Sequence, residues 1–365
     1  MRSWHTKMWH GAIWRGTLVL GLVVGLTTLL AMVVGAMQPD SGKLAFWSLH
    51  PQGYGLYVMD PYRLLEMRLM APPPFLVVDL PRLSDDGQRV AFETVHEGRL
   101  RVFVKDIHGR VLYQTEPGIE DRLPVLSPDG GQVGLWSAPH TPRTVARFQN
   151  WSFYIIDIAS AQARQITAQL AMLPSDRPLW SPDGRRIAVR FWRAGSDEGV
   201  FIVDVATGEI RDVPGDVDPS SDLVWSPDGE QIAFRSARDL NPEVYVLNIH
   251  DGSLRNLSHH PASDFQPAWS PRAGEFAFVS TRGGGGNLYL MDTASGIIQQ
   301  LTTQGGRQPY WSPTGSHVAF TAAQNNRDGL YVVSRDGSGL RLITPLTEHK
   351  LFLGWFPVSA PRASR

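Results

Sequence analysis

Pro178-Leu179-Trp180-Ser181-Pro182-Asp183-Gly184 is the clearest copy of a segment written six times along this 365-residue chain. The other copies are Pro81-Arg82-Leu83-Ser84-Asp85-Asp86-Gly87, Pro124-Val125-Leu126-Ser127-Pro128-Asp129-Gly130, Leu223-Val224-Trp225-Ser226-Pro227-Asp228-Gly229, Pro267-Ala268-Trp269-Ser270-Pro271-Arg272-Ala273-Gly274 and Pro309-Tyr310-Trp311-Ser312-Pro313-Thr314-Gly315. Successive serines lie 43, 54, 45, 44 and 42 residues apart. A repeat of that length with strands inside each unit predicts a β-propeller and excludes a helical solenoid. The segment itself reads as a tight turn. Its Pro presets φ, its Asp bonds back to the backbone, and its Gly takes a positive φ without steric cost.

Each unit continues in the same order. An apolar alternating run follows the turn, as in Arg186-Ile187-Ala188-Val189-Arg190 and Gln231-Ile232-Ala233-Phe234-Arg235. A polar loop leads to a second run such as Val244-Tyr245-Val246-Leu247, then to Asp-x-x-Thr/Ser-Gly, as in Asp204 to Gly208 and Asp292 to Gly296. A last short run ends near Leu257-Ser258 or Leu301-Thr302. Short β-branched and aromatic runs bounded by Gly, Pro, Asp and Ser predict antiparallel strands. Residues 43–69 form a unit without an opening strand, and residues 353–358 form an opening strand without a unit, with Trp355 placed 44 residues beyond Trp311. Joining the two leaves no free sheet edge. The expectation is an all-β, seven-bladed propeller over residues 42–358 whose first blade is composite, followed by a tail at 359–365.

The unit Trp-Ser-Pro-Asp-Gly-x-x-Ile-Ala-Phe resembles the WD40-like repeat of TolB-type propellers, from about Lys43 to Val358. The copies at Ser84 and Ser127 lack the Trp, and the copy at Ser270 has one extra residue. The resemblance implies that partners bind on one face, at the channel mouth and the loops around it. Those loops join the second strand to the third and one blade to the next.

Cysteine is absent, so neither a disulfide framework nor thiol chemistry is available. A formal net charge of −1 gives no electrostatic footprint for nucleic acid. The departure from globular composition is residues 17–37, which carry no charge and suffice to cross a bilayer core of about 30 Å as a helix. Arg2, Lys7 and Arg15 precede this stretch, so the expected orientation leaves residues 1–16 in the cytoplasm. The propeller then lies outside the cell membrane, periplasmic or extracellular, on a single-pass anchor. A cleaved signal peptide ending near Val34-Gly35-Ala36 is the alternative, and the length of the apolar run favours the uncleaved anchor.

Several loops carry candidate chemistry. The longest, residues 137–150, holds Arg143, Arg147 and Phe148, and hairpin loops of that length are commonly functional. Trp192-Arg193, Arg238, Arg282 and Arg327 recur in corresponding loops. Guanidinium groups there would hold a carboxylate or phosphate of a partner, or else pin each loop structurally. Asp216, Asp218 and Asp222 offer alternate oxygen ligands, although the Gly and Glu of a helix-loop-helix calcium site are missing. His259-His260 beside Asp264 is a second candidate, but adjacent side chains of an extended chain point opposite ways.

The chain contains no Gly-x-Ser-x-Gly nucleophile elbow and no phosphate-binding Gly-x-x-x-x-Gly-Lys-Ser/Thr. Gly283 to Gly286 falls in a strand-to-strand loop. The reading that follows is a non-catalytic binding scaffold without a cofactor, for a protein or envelope polymer. The alternative is a metal-dependent hydrolase or lyase with a site dispersed around the channel.

Overall fold

The computed structural model describes residues 42–50, 53–62, 66–70, 81–96, 99–117, 119–139, 151–167, 172–174, 178–193, 198–212, 223–272, 274–324, 327–345 and 350–357. Their strands fall into seven antiparallel sheets. Blade 1 combines Lys350–Pro357, innermost, with Gly42–His50, Gly53–Met59 and Glu66–Met70. Blades 2 to 7 follow in chain order, each with its innermost strand at one of the six repeated segments. In blade 4 that strand is split into Met172–Pro174 and Leu179–Trp180, both paired with Arg186–Arg193. Among the described residues no helix is long and apolar enough to cross a membrane; residues 17–37 lie outside them.

The composite blade forms as the sequence predicts and extends further. The ladder runs from Gly42 opposite Pro357 to Ser48 opposite Lys350. Its register shifts between Ala45 and Phe46, which leaves Leu353 as the extra residue of a bulge. The shift changes which side chains share a face. Phe352 and Trp355 pack towards blade 7, whereas Leu353 and Phe356 pack towards blade 2. Strict alternation would put Phe352 and Phe356 on one side.

Seven apolar clusters fill the seven interfaces between successive blades. The Ile-Ala-Phe run explains them. Ile232 and Phe234 face blade 4 while Ala233 faces blade 6; Phe276 and Phe278 face blade 5 while Ala277 faces blade 7. Period-two alternation sends large side chains to the preceding blade and a small one to the next. Large thereby meets small across every such seam, which lets the twisted sheets approach closely.

The repeated segment serves both turn and seam. In four copies the serine hydroxyl donates to the Asp carboxylate, at 2.5 to 2.6 Å, and accepts the N–H of the residue five positions on. The Gly N–H closes the turn onto the Ser carbonyl, with φ between 66° and 72° at Gly87, Gly130, Gly184 and Gly229. Only a residue without a Cβ reaches that region at no cost. Trp180, Trp225 and Trp311 donate their indole N–H to the preceding blade's innermost strand, at Val125, Leu179 and Ala268 (3.4, 3.0 and 3.1 Å). Trp269 and Trp355 occupy the same register opposite Phe276 and Leu44, but their buried N–H groups have no partner among the described residues.

This difference sets a test. Trp225→Phe keeps most of the buried ring but removes a seam hydrogen bond, whereas Trp269→Phe removes none. Denaturant unfolding is expected to show Trp225→Phe costing about 1 kcal/mol more than Trp269→Phe.

Candidate functional site

The innermost strands surround a channel, and a cavity of ≈ 750 Å³ lies in it towards the end where the repeated turns sit. Pro128, Pro182, Pro227, Pro271 and Pro313 rim it, Trp and Leu residues line the walls, and Arg82, Asp85, Gln266 and Gln308 are among its polar groups. Proline suits a rim because it brings no backbone N–H to leave unpaired. Higher in the wall, the innermost strands of blades 3, 6 and 7 each bulge. Leu123, Gln266 and Gln308 take φ of 53°, 52° and 53° there. The preceding blade satisfies two of the freed donors. Leu123 N–H donates to the buried Glu93 carboxylate, and Gln308 N–H to Gln266 Oε1 at 2.8 Å.

The opposite end of the blades carries the loops from second to third strand. Arg282 lies over the Phe278 and Tyr289 rings, both 5.2 Å away. It donates Nε to Ser280 Oγ (2.8 Å) and Nη2 to the fully buried Asp264 carboxylate (2.9 Å). Arg238 is built likewise, Nε to Ser236 Oγ (3.2 Å) and guanidinium 4.8 Å from the Tyr245 ring centre. Tyr245 in turn donates its hydroxyl to Asp239; burial first, and that carboxylate second, push the phenol up to about 12. Burial also raises the Asp264 carboxyl, against the pull of Ser280 and Arg282.

Asp121 stands at the equivalent place in blade 3, buried, with its carboxyl raised by burial against hydrogen bonds from Ser137 and Thr115. Beside Asp264, the buried Glu243 accepts the Ser258 hydroxyl, Asn241 Nδ2 (2.8 Å) and His260 N–H (3.0 Å). His260 Nδ1 accepts the Ala262 N–H at 3.0 Å. The His259-His260-Asp264 stretch is therefore engaged in shaping its loop, and no three His, Asp or Glu side chains among the described residues gather as a metal site.

The remaining candidates distribute as follows. Trp192 and Arg193 end the second strand of blade 4, in register with Leu173 and Met172, and Arg327 opens the third strand of blade 7 opposite Gln324. Ser137, Ala138 and Pro139, read from sequence as loop, continue a strand opposite Asp121, Glu120 and Ile119. The long innermost strand of blade 3 gives them a partner. Arg143, Arg147, Phe148, Asp216, Asp218 and Asp222 lie outside the described residues. Sequence reading missed the turn-end cavity, although its lining prolines stand inside the quoted repeat.

A ring of seven sheets around a channel, with cores only between sheets, defines the β-propeller class. A family model described as the TolB beta propeller domain matches residues 143–351, and the chain belongs to that family. Among solved structures, TolB from Acinetobacter baumannii is similar at 18% identity and TM-score 0.50, over 86% of this chain and 81% of that one. Puromycin hydrolase gives 16% and 0.62, over 86% of this chain and 55% of the hydrolase. The propeller domain of the Trilobed protease from Pyrococcus furiosus gives 14% and 0.53, over 74% and 84%. At these identities the likeness concerns the fold. No curated protein matches the chain.

Two expectations follow from the site. Arg282→Ala strands the buried Asp264 carboxylate and is expected to cost about 3 kcal/mol. Chemical denaturation of the variant beside the unaltered chain measures that cost. The second concerns pH. The Ser127 hydroxyl, followed by the Gly131 N–H, holds the Asp129 carboxyl below its ordinary 3.8. A depressed folded value means the contribution is complete above 3.8 and vanishes as pH falls through the folded value. Asp129→Ala is therefore expected to lower the melting temperature at pH 7, and the gap to the unaltered chain should narrow below pH 3.8.

Proposed function

We propose that this chain is a non-catalytic binding scaffold, held to the cell membrane by residues 17–37 with its propeller outside the cytoplasm. One observation carries the binding reading: the side chains that make the repeat recognisable are consumed in building it. The six serines are buried, and in four of them the hydroxyl is spent on an Asp and a backbone N–H within its own turn. Ser181 and Asp183 thus form a turn pair, with no imidazole in the pair to activate the hydroxyl as a nucleophile requires. Variation is left to the loops at the other end of the blades, as expected of a rigid frame presenting recognition loops. Membership of the TolB beta-propeller family supports a protein partner over an envelope polymer.

The rival reading places a metal-dependent hydrolase or lyase site around the channel. Metal analysis of the purified chain separates the two: a stoichiometric, tightly held ion supports the enzyme. For the scaffold, protease added to intact spheroplasts is expected to digest the propeller, and full protection removes the assignment outside the cytoplasm. In pull-down, shortening residues 140–150 is expected to reduce partner recovery about tenfold. Equal recovery refutes the assignment of that loop.

A further inference from the structure

The loop from second to third strand in blade 5, residues 237–242, matches its counterpart in blade 6 position by position. Ser236 corresponds to Ser280, Arg238 to Arg282, and Leu240 to Gly284. Both loops close alike, Leu240 N–H onto Ala237 O at 3.1 Å and Gly284 N–H onto Thr281 O at 3.0 Å. The residue donating that bond is left-handed in each, φ 81° at Leu240 and 83° at Gly284. Blade 6 uses the residue this conformation suits. Blade 5 uses leucine, whose Cβ and branched side chain are disfavoured there. The strain brings no burial in return, since 99% of the Leu240 surface is exposed.

Every polar neighbour of Leu240 is committed. Arg238 lies over Tyr245, Asp239 accepts the Tyr245 hydroxyl, and Asn241 Nδ2 reaches Glu243, His260 O and Ala262 O at 2.8, 2.8 and 3.1 Å. These bonds tie the loop tip to the segment leading into blade 6. That segment holds a second exposed residue of positive φ, His259 at 33°, fixed by its N–H to Asn256 Oδ1 at 2.9 Å. The result is one apolar side chain presented on a rigid, otherwise polar tip.

We propose that Leu240 is the central anchor of an interface with a folded protein that offers an apolar socket. This rests on the scaffold reading above and names the partner's complementary feature. An unfavourable backbone conformation at a leucine that gains no burial from it points to a role other than supporting the fold. Pre-ordering of the tip lowers the conformational cost of docking. A single apolar group ringed by Arg238, Asp239, Asn241 and His259 matches the apolar centre and polar rim of a protein interface. It offers too little apolar area to hold a bilayer.

The test uses the full chain in its membrane, with a photo-reactive p-benzoylphenylalanine in place of Leu240. The control carries the probe in place of Ile297, 70% exposed in a turn at the opposite end of the blades. A discrete protein adduct is expected from position 240 and none from 297. Purified unaltered chain and Leu240→Met are expected to compete it away equally, whereas Leu240→Gly should need at least about tenfold more protein. Leu240→Gly should also melt roughly 1–3 °C higher, since glycine relieves the left-handed strain. That opposition of stability and binding is what a purely structural leucine does not produce. Competition by Leu240→Gly at the unaltered concentration, equal adducts at 240 and 297, or lipid adducts alone overturn the proposal. Partner recovery in pull-down without an adduct at 240 overturns only the anchor. Recovery of no partner at all overturns the scaffold reading with it.

Discussion

The ladder between Gly42–His50 and Lys350–Pro357 is the contact on which the remaining architecture depends. Each blade buries one face against the preceding blade and the other against the following one. No blade is complete by itself: a ring opened between blades exposes two apolar faces, and one opened inside blade 1 exposes two strand edges. Closing the ring inside a sheet, by backbone hydrogen bonds, turns blade 1 into an ordinary member of the repeat. The bulge at Leu353 is part of this solution, because it lets one strand present Trp355 to blade 7 and Phe356 to blade 2.

What the sequence made legible is the part governed by local rules repeated many times. Turn chemistry, period-two alternation and the 42- to 54-residue spacing fix the blade count and the composite blade without reference to tertiary contacts. The bulges at Leu123, Gln266 and Gln308 were not legible, because leucine and glutamine carry no preference for a positive φ. Their conformation is imposed by the channel wall and, at Leu123 and Gln308, by the side chains that accept their N–H groups. Leu240 was hidden for the same reason: only superposing blade 5 on blade 6 reveals that it stands where glycine belongs.

The arginines illustrate a different obstacle. Arg238 and Arg282 fall at equivalent positions and were readable as a possible anion ring. Whether a guanidinium is available depends on what lies beneath it, and Asp264 is contributed by the innermost strand of the same blade, 18 residues upstream of Arg282. In blade 5 the described contacts of the corresponding Arg238 are the Ser236 hydroxyl and the Tyr245 ring. What a loop arginine reaches is therefore set by the strands that pass below it, which the loop's own letters do not record.

The closing ladder also orders events in time. Gly42–His50 leaves the ribosome about three hundred residues before its innermost partner, so the first blade carries an open edge throughout synthesis of the other six. Contacts this distant in sequence form late, and their loop-closure entropy is small only if the intervening blades have already stacked. Stacking must therefore propagate around the ring before the final strand can dock. Until Lys350–Pro357 docks, Gly42–His50 keeps an unpaired strand edge, so the hazard of edge-to-edge association is gathered at one ladder.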